Sequence, residues 1–187
     1  IPVDPYGAAK LAAEAQLNIL GEAHGVNVVH AIPHNIIGPR QRYDDPYRNC
    51  VSIMANRMLQ GLPPIIYGDG TQTRCFSDVR EVVPVMLKML DSGISHGSLY
   101  NVGPDEQPIT INNLADRLAT IAGFGGERVH VLARPREVHV ALCSSWRIRK
   151  EFGYETTYSI DDSLRTVVDW IKLKGTKPFR YNLPLEL

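Results

Sequence analysis

The sequence lacks a surplus of charge of either sign, because 20 basic residues balance 20 acidic residues. That balance gives no electrostatic reason to expect a nucleic acid as partner. No run of about 18 apolar residues occurs, so no membrane-spanning helix is expected. Only three cysteines are present, Cys50, Cys75 and Cys143, and they lie far apart. Their odd number and wide spacing argue against a disulfide framework and a cysteine-based zinc site, and they predict a reducing, cytoplasmic location.

The beginning of the sequence lacks both the basic and the apolar segment of a secretory signal peptide. It also lacks an initiator methionine, and we therefore expect the chain to be cut from a longer protein. Its 187 residues, of which 44% are hydrophobic, suffice for a sizeable core.

Helices and strands are predicted to alternate along the chain. Residues 5–23 carry apolar side chains at helical spacing, between Asp4 as N-cap and Gly25 as terminator. The apolar, β-branched run 26–32 is typical of a strand buried on both faces. This succession indicates the α/β class. Further helices are predicted at 48–60, 79–90, 111–122, 146–152 and 161–172, and short strands at 65–67, 98–102 and 129–132.

Tyr6 and Lys10 lie four residues apart at the start of the first predicted helix. That spacing places the phenol and the ammonium group on one helix face. A nearby cation stabilises phenolate and lowers the pKa of a tyrosine, which can then exchange a proton with a hydroxyl near neutral pH. The same spacing arises by chance in many helices, so it does not by itself establish a catalytic pair.

Five segments in a fixed order carry a more specific signal. They are the Asp-Pro-Tyr-Gly-Ala-Ala-Lys helix start and the segments 33–40, 66–74, 100–103 and 134–137. Together they resemble the extended short-chain dehydrogenase/reductase family, and more narrowly its NAD-dependent nucleotide-sugar epimerases and dehydratases. The resemblance implies the C-terminal part of a Rossmann-type parallel sheet, from residues 1–38 and about 75–103. A smaller α/β sugar-nucleotide-binding domain would comprise about 39–74 and 104–187.

The resemblance also implies roles for particular residues. Tyr6 would be the catalytic acid and base, and Lys10 would lower its pKa while holding the nicotinamide ribose. With Pro33 and His34, whose backbone would meet the nicotinamide, they form the implied NAD-binding set. The implied substrate-binding residues are Asn35, Val51, Tyr67, Arg74, Arg134 and Glu137.

The chemistry of the substrate set agrees with those roles. Arg74 and Arg134 have forked guanidinium groups, which form paired, charge-assisted hydrogen bonds with a diphosphate. The carboxylate of Glu137 can accept hydrogen bonds from two neighbouring ribose hydroxyls. For Tyr67 and Val51, which match positions on a uracil or thymine base, packing in the core is an equally good interpretation.

Two elements of the family's complete site are missing from the sequence. The Gly-x-x-Gly-x-x-Gly turn that begins the dinucleotide site is absent, and so is the catalytic Ser or Thr that precedes the tyrosine. We therefore expect the C-terminal portion of a larger enzyme, which alone binds NAD poorly and has no turnover.

For the parent enzyme the resemblance favours NAD-dependent epimerisation at C4 of a UDP- or dTDP-linked sugar, through a transient 4-keto intermediate. A nucleotide-sugar 4,6-dehydratase and a UDP-glucuronate decarboxylase share every motif quoted above and remain alternatives. A non-catalytic nucleotide-binding or dimerisation module is an alternative of another class. The family also implies a homodimer that packs through the helix bearing Tyr6.

Overall fold

Six helices and nine short strands alternate along residues 2–45 and 48–179, the part of the chain that the computed structural model describes. The helices are α1 (Pro5–His24), α2 (Cys50–Leu59), α3 (Val79–Leu90), α4 (Ile111–Ala122), α5 (Trp146–Phe152) and α6 (Ile160–Lys174). The strands are β1 (His30–Pro33), β2 (Ile36–Ile37), β3 (Ile65–Tyr67), β4 (Thr73–Arg74), β5 (Ser77–Asp78), β6 (Leu99–Val102), β7 (Ile109–Thr110), β8 (Val129–Val131) and β9 (Val140–Ala141). The predicted α/β class and all six predicted helices are confirmed. Among the described residues, no helix is both long and apolar enough to cross a membrane.

The ends of α1 are formed by the residues that the sequence predicts. The Asp4 carboxylate accepts a hydrogen bond of 2.6 Å from the Gly7 backbone N–H, and Pro5 occupies the first turn. Gly25 ends the helix in the left-handed conformation, with φ of 65°. Along the helix only Gly21 is buried, so most of the apolar side chains of α1 face outward.

The strand predicted at 26–32, buried on both faces, is wrong in extent and in burial. The strand begins at His30, because the preceding backbone bonds elsewhere: Val26 N–H donates to Gly21 O and Val28 N–H to the His96 ring. Val26 is 57% exposed. Among the described strands β1 pairs only with β6, in parallel, so its other edge is not covered by a neighbour.

The remaining strands pair across long distances in sequence. β2 runs parallel to β5, β3 runs parallel to β8, and β4 lies between β7 and β9. The pairing of β4 with β9 sets Arg74 opposite Ala141. These short ladders bring the segments 65–67, 73–74 and 129–141 to one end of the fold.

Two separate clusters of buried side chains form the core. The larger one joins α2, α4 and α6, through residues such as Met54, Leu118 and Leu164. The smaller one joins α3 to β6 and includes Ile148 of α5 and Tyr154. The predicted division of the chain into a Rossmann part (1–38 and about 75–103) and a substrate domain (about 39–74 and 104–187) stays a prediction. Helix α5, which that division assigns to the substrate domain, packs with β6 of the Rossmann part.

Asp78 ties α3 to α6 and offers a test of this packing. Its buried carboxylate accepts hydrogen bonds from the Arg80 backbone and guanidinium and, at 2.7 Å, from Ser163 Oγ. Burial raises the pKa of Asp78, but the bonds from Arg80 and Ser163 outweigh it and hold the pKa below its ordinary value. A carboxyl with a lowered pKa stabilises the fold above its unfolded pKa, and that contribution disappears as the pH falls through the folded pKa.

We therefore expect Asp78→Asn to lower the free energy of unfolding by about 1–3 kcal/mol at pH 7. The deficit should shrink as the pH falls below about 4, where the wild-type carboxyl takes up its own proton. Urea unfolding at a series of pH values measures both quantities. Asp91→Asn, an exposed substitution at the end of α3, is the matched control. A deficit that is independent of pH contradicts this account of Asp78.

Candidate functional site

A cavity of about 280 Å³ lies between the start of α2, β3, β4 and the loop that follows β8. Its wall contains five of the six residues that the sequence predicts for substrate binding. They come from segments as far apart in sequence as residues 35 and 137, which the short parallel ladders bring together. The five are Asn35, Tyr67, Arg74, Arg134 and Glu137.

Arg74 and Glu137 lie side by side in this wall. Arg74 Nη2 is 3.5 Å from Glu137 Oε1, and Arg74 Nη1 donates to the carbonyl oxygens of Thr73 and His139. Gln72 Nε2 lies 3.4 Å from the same Glu137 oxygen and donates to Tyr67 O at 2.9 Å. The backbone and Gln72 thus hold both charged groups in place, while the charged groups themselves form only a long contact.

Arg134 adds a second guanidinium to the wall. Its Cζ lies 3.9 Å from the centroid of the Tyr67 ring, the geometry of a cation–π contact. A third arginine, Arg48, also lines the cavity and pairs with Asp45 at 3.3 Å, and sequence reasoning missed it. Because Asp45 neutralises Arg48, two guanidinium groups, of Arg74 and Arg134, stand against the single carboxylate of Glu137, and this excess of positive charge suits an anionic ligand.

The start of α2 contributes a different side chain from the one predicted. Asn49 caps the helix by accepting from Val51 N–H, and the next residue, Cys50, lines the cavity. Burial raises the pKa of the Cys50 thiol to about 11, so it is a neutral group at pH 7. Val51 is fully buried in the larger core cluster. Adjacent helical residues point about 100° apart, so beginning the helix at Cys50 directs Cys50 to the cavity and the Val51 side chain away from it.

Pro33 is the last residue of β1, and His34 and Asn35 follow it in the turn. Asn35 has a positive φ of 46°, and its Nδ2 donates to Cys75 O at 2.8 Å. The His34 ring lies 3.0 Å from Cys143 Sγ, a contact between residues 109 positions apart that no sequence pattern indicates. Burial lowers the pKa of His34. Among the described residues, no three His, Cys, Asp or Glu side chains converge as a metal site requires.

Tyr6 and Lys10 share one face of α1, as the spacing predicts. Lys10 Nζ is 5.6 Å from the centroid of the Tyr6 ring, and Tyr6 is 72% exposed. Neither residue lines the cavity, and neither do Pro33 and His34. The structure thus gathers five of the six predicted substrate-binding residues around one cavity and leaves Val51 and the predicted cofactor-binding residues outside it.

Comparison with known proteins places the chain in a family. The profile of the NAD dependent epimerase/dehydratase family matches residues 1–103. The chain belongs to this family.

Two relatives from the epimerase/dehydratase family match this chain over similar lengths. The UDP-glucose 4-epimerase of Mycolicibacterium smegmatis is 26% identical over 176 residues, which are 93% of this chain and 55% of that protein. The GDP-6-deoxy-D-mannose reductase of Pseudomonas aeruginosa is 34% identical over 174 residues, 90% of this chain and 56% of that protein. The chain spans about half the length of the curated relatives it matches.

A solved structure from the family extends the comparison. The UDP-glucuronic acid 4-epimerase of Bacillus cereus, in complex with UDP-glucuronic acid and NAD, superposes with a TM-score of 0.84 at 26% identity. The match covers 94% of this chain and 55% of that one. The expected Rossmann-type α/β fold is therefore confirmed.

Proposed function

We propose that this chain is the nucleotide-sugar-binding portion of an NAD-dependent nucleotide-sugar 4-epimerase. The observation that carries the proposal is the cavity wall, in which two positioned guanidinium groups, of Arg74 and Arg134, lie beside the carboxylate of Glu137. This combination suits a diphosphate that is linked to a ribose. The epimerases among the similar proteins support the choice of reaction.

In the proposed complex each group binds the part of the substrate that its chemistry favours. Arg74 and Arg134 bind the diphosphate by charge-assisted hydrogen bonds. Glu137 accepts hydrogen bonds from the ribose hydroxyls, and Tyr67 packs against the uracil or thymine base. The 3.5 Å contact between Arg74 and Glu137 is long for a hydrogen bond, so substrate oxygens can replace it at little cost. Asn35 binds the diphosphate at the end that carries the sugar.

Tyr6 performs the proposed proton transfer. Its phenolic oxygen, with Lys10 on the same face of α1, takes the proton of the sugar 4-hydroxyl, and it returns that proton when the hydroxyl forms again. Bound NAD would accept a hydride from C4, the carbon that bears this hydroxyl, and would later return it. Two sets of groups suit the nicotinamide end of that cofactor. They are the exposed phenol and ammonium groups of α1, and Pro33 and His34 at the end of β1.

The proposal includes a partner and a location. A homodimer through α1 would cover outward-facing side chains such as Leu11, Leu17 and Leu20, each about half exposed. A reducing, cytoplasmic location would suit the three unpaired cysteines.

Two other functions have an observation in their favour. The 34% identity with a GDP-6-deoxy-D-mannose reductase favours a GDP-linked sugar as the second candidate substrate. The position of Tyr6 and Lys10 outside the cavity favours a module that binds a nucleotide without catalysis.

A chimera tests the proposed reaction. The part of the Mycolicibacterium smegmatis relative that precedes its match is joined to this chain, and the product formed from each nucleotide sugar is identified by NMR. We expect interconversion of the two C4 epimers of a UDP-linked sugar. Formation of a 4-keto-6-deoxy sugar would show a dehydratase, and release of carbon dioxide from UDP-glucuronate would show a decarboxylase. A folded chimera that binds NAD and UDP but forms no product contradicts the enzymatic proposal.

A further inference from the structure

The thiol of Cys143 links two segments of the chain that each carry residues of the cavity wall. Cys143 lies two residues beyond Ala141 of β9, which pairs with Arg74 of β4. Its Sγ is 3.0 Å from His34 Nδ1, and His34 precedes Asn35 in the turn after β1. Through this contact, the segment next to the arginine wall touches the turn that presents Asn35.

The hydrogen-bond network assigns the protons of this contact. His34 Nε2 lies 3.2 Å from Pro104 O, and a carbonyl oxygen can only accept, so Nε2 carries the hydrogen. Nδ1 of the neutral ring is then an acceptor, and the Cys143 thiol is its donor. Burial lowers the pKa of His34 and raises the pKa of Cys143. Both groups are therefore neutral near pH 7, as this arrangement requires.

The His34 ring is held closely on other sides. A Cβ atom at Gly103, where φ is +151°, would lie 2.8 Å from His34 Nδ1 and 2.6 Å from Ser77 Oγ. Only glycine leaves this space open. Ser77 Oγ donates to His34 O at 2.7 Å, and Ser145 Oγ donates to Gly103 O. These close neighbours restrict the position of the His34 ring, and the Cys143 thiol is one of them.

The turn needs such support because of Asn35. Asparagine adopts a φ of 46° more readily than most non-glycine residues, but this conformation is still uncommon, and hydrogen bonds to neighbouring segments fix it here. Two hydrogen bonds fix Asn35 in the turn. Asn35 Nδ2 donates to Cys75 O, and Ser77 N–H donates to Asn35 O. The His34 ring is the part of the turn that reaches across to Cys143.

We infer that Cys143 is a positioning residue, whose hydrogen bond to His34 fixes Asn35 relative to the wall that carries Arg74. The inference rests on the proposed function, because it assigns Cys143 a part in shaping the proposed nucleotide-sugar site. Cys143 itself does not touch the cavity. The titratable groups that face the His34 ring are the Cys143 thiol and the Asp105 carboxylate.

Cys143→Ala and Cys143→Ser test the inference on the intact chain. NMR titration gives the pKa of His34 and the shift of the Asn35 side-chain amide, and calorimetry gives the UDP affinity. In the alanine variant we expect a raised pKa of His34, because its neutral form loses a hydrogen bond, a shifted Asn35 amide, and UDP binding about threefold to tenfold weaker. The serine variant keeps a donor and should restore all three. Ser144→Ala, an exposed change in the same loop, is the control.

The outcomes separate this inference from the proposed function. If Cys143→Ala leaves the pKa of His34, the Asn35 amide and the UDP affinity at their wild-type values, Cys143 is not a positioning residue. If the wild-type chain does not bind UDP, the proposed function fails. In that case the pKa of His34 and the Asn35 amide still test the inference. A raised pKa and a shifted amide in Cys143→Ala support a positioning role of Cys143, and unchanged values of both contradict it. Equal loss of the folded state in the alanine and serine variants would also contradict the inference, since it shows a packing role.

Discussion

Replacing Tyr6 by phenylalanine is expected to lower the turnover of the chimera by about a thousandfold, because general acid–base catalysis contributes about 10²–10⁴. The substitution removes only the phenolic oxygen, which is the atom that exchanges the proton. Tyr6 does not line the cavity, so the affinity for UDP should stay within about twofold of the wild-type value. Steady-state kinetics and calorimetry on the same preparation separate the two effects.

Tyr158→Phe is the matched control for that substitution. Tyr158 is also partly exposed, its ring packs on Arg80, and neither residue lines the cavity. Turnover should be unchanged in this variant. If Tyr6→Phe retains more than about one tenth of the wild-type turnover, Tyr6 is not the acid–base group.

Replacing Arg74 by alanine is expected to weaken UDP binding by about ten- to a hundredfold. The guanidinium group would donate charge-assisted hydrogen bonds to the diphosphate, each worth about 1.5–3 kcal/mol. Its loss also leaves Glu137 without the nearest positive charge, so the carboxylate repels the ligand. Arg74→Lys should recover only part of the affinity, because an ammonium group lacks the forked geometry. Calorimetric titration at constant ionic strength measures each dissociation constant.

Arg117→Ala controls for the loss of one positive charge. Arg117 lies on the surface of α4, where it pairs with Asp161 at 2.9 Å. Its removal should change UDP affinity by less than about twofold, since exposed charges outside the site are strongly screened. Comparable affinities for the Arg74 and Arg117 variants would show that the diphosphate does not bind at this wall.

The helices could be predicted from sequence because their signals are local. α1 lies between Asp4 and Gly25, and α4 ends at Gly123, which adopts φ of 72°. Each signal lies within one turn of the element that it terminates. The grouping of Arg74 with Arg134 and Glu137 also followed from motifs, and the structure brings these residues to one cavity.

The two-residue strands and the exact cavity wall could not be predicted because they depend on distant partners. β2, β4, β5, β7 and β9 have two residues each, too few for a periodic pattern. Whether Cys50 or Val51 faces the cavity depends on where α2 begins, which sequence reasoning set two residues too early. The contact of His34 with Cys143 arises only when β9 aligns beside β4.

The central claim is that the cavity lined by Arg74, Arg134 and Glu137 binds a nucleoside diphosphate in this chain alone. Calorimetric titration of the purified chain, first with UDP and then with NAD, tests it most directly. We predict saturable binding of UDP at one site per chain and no measurable binding of NAD. A chain that is folded by circular dichroism and binds NAD but not UDP, or binds neither, contradicts the claim.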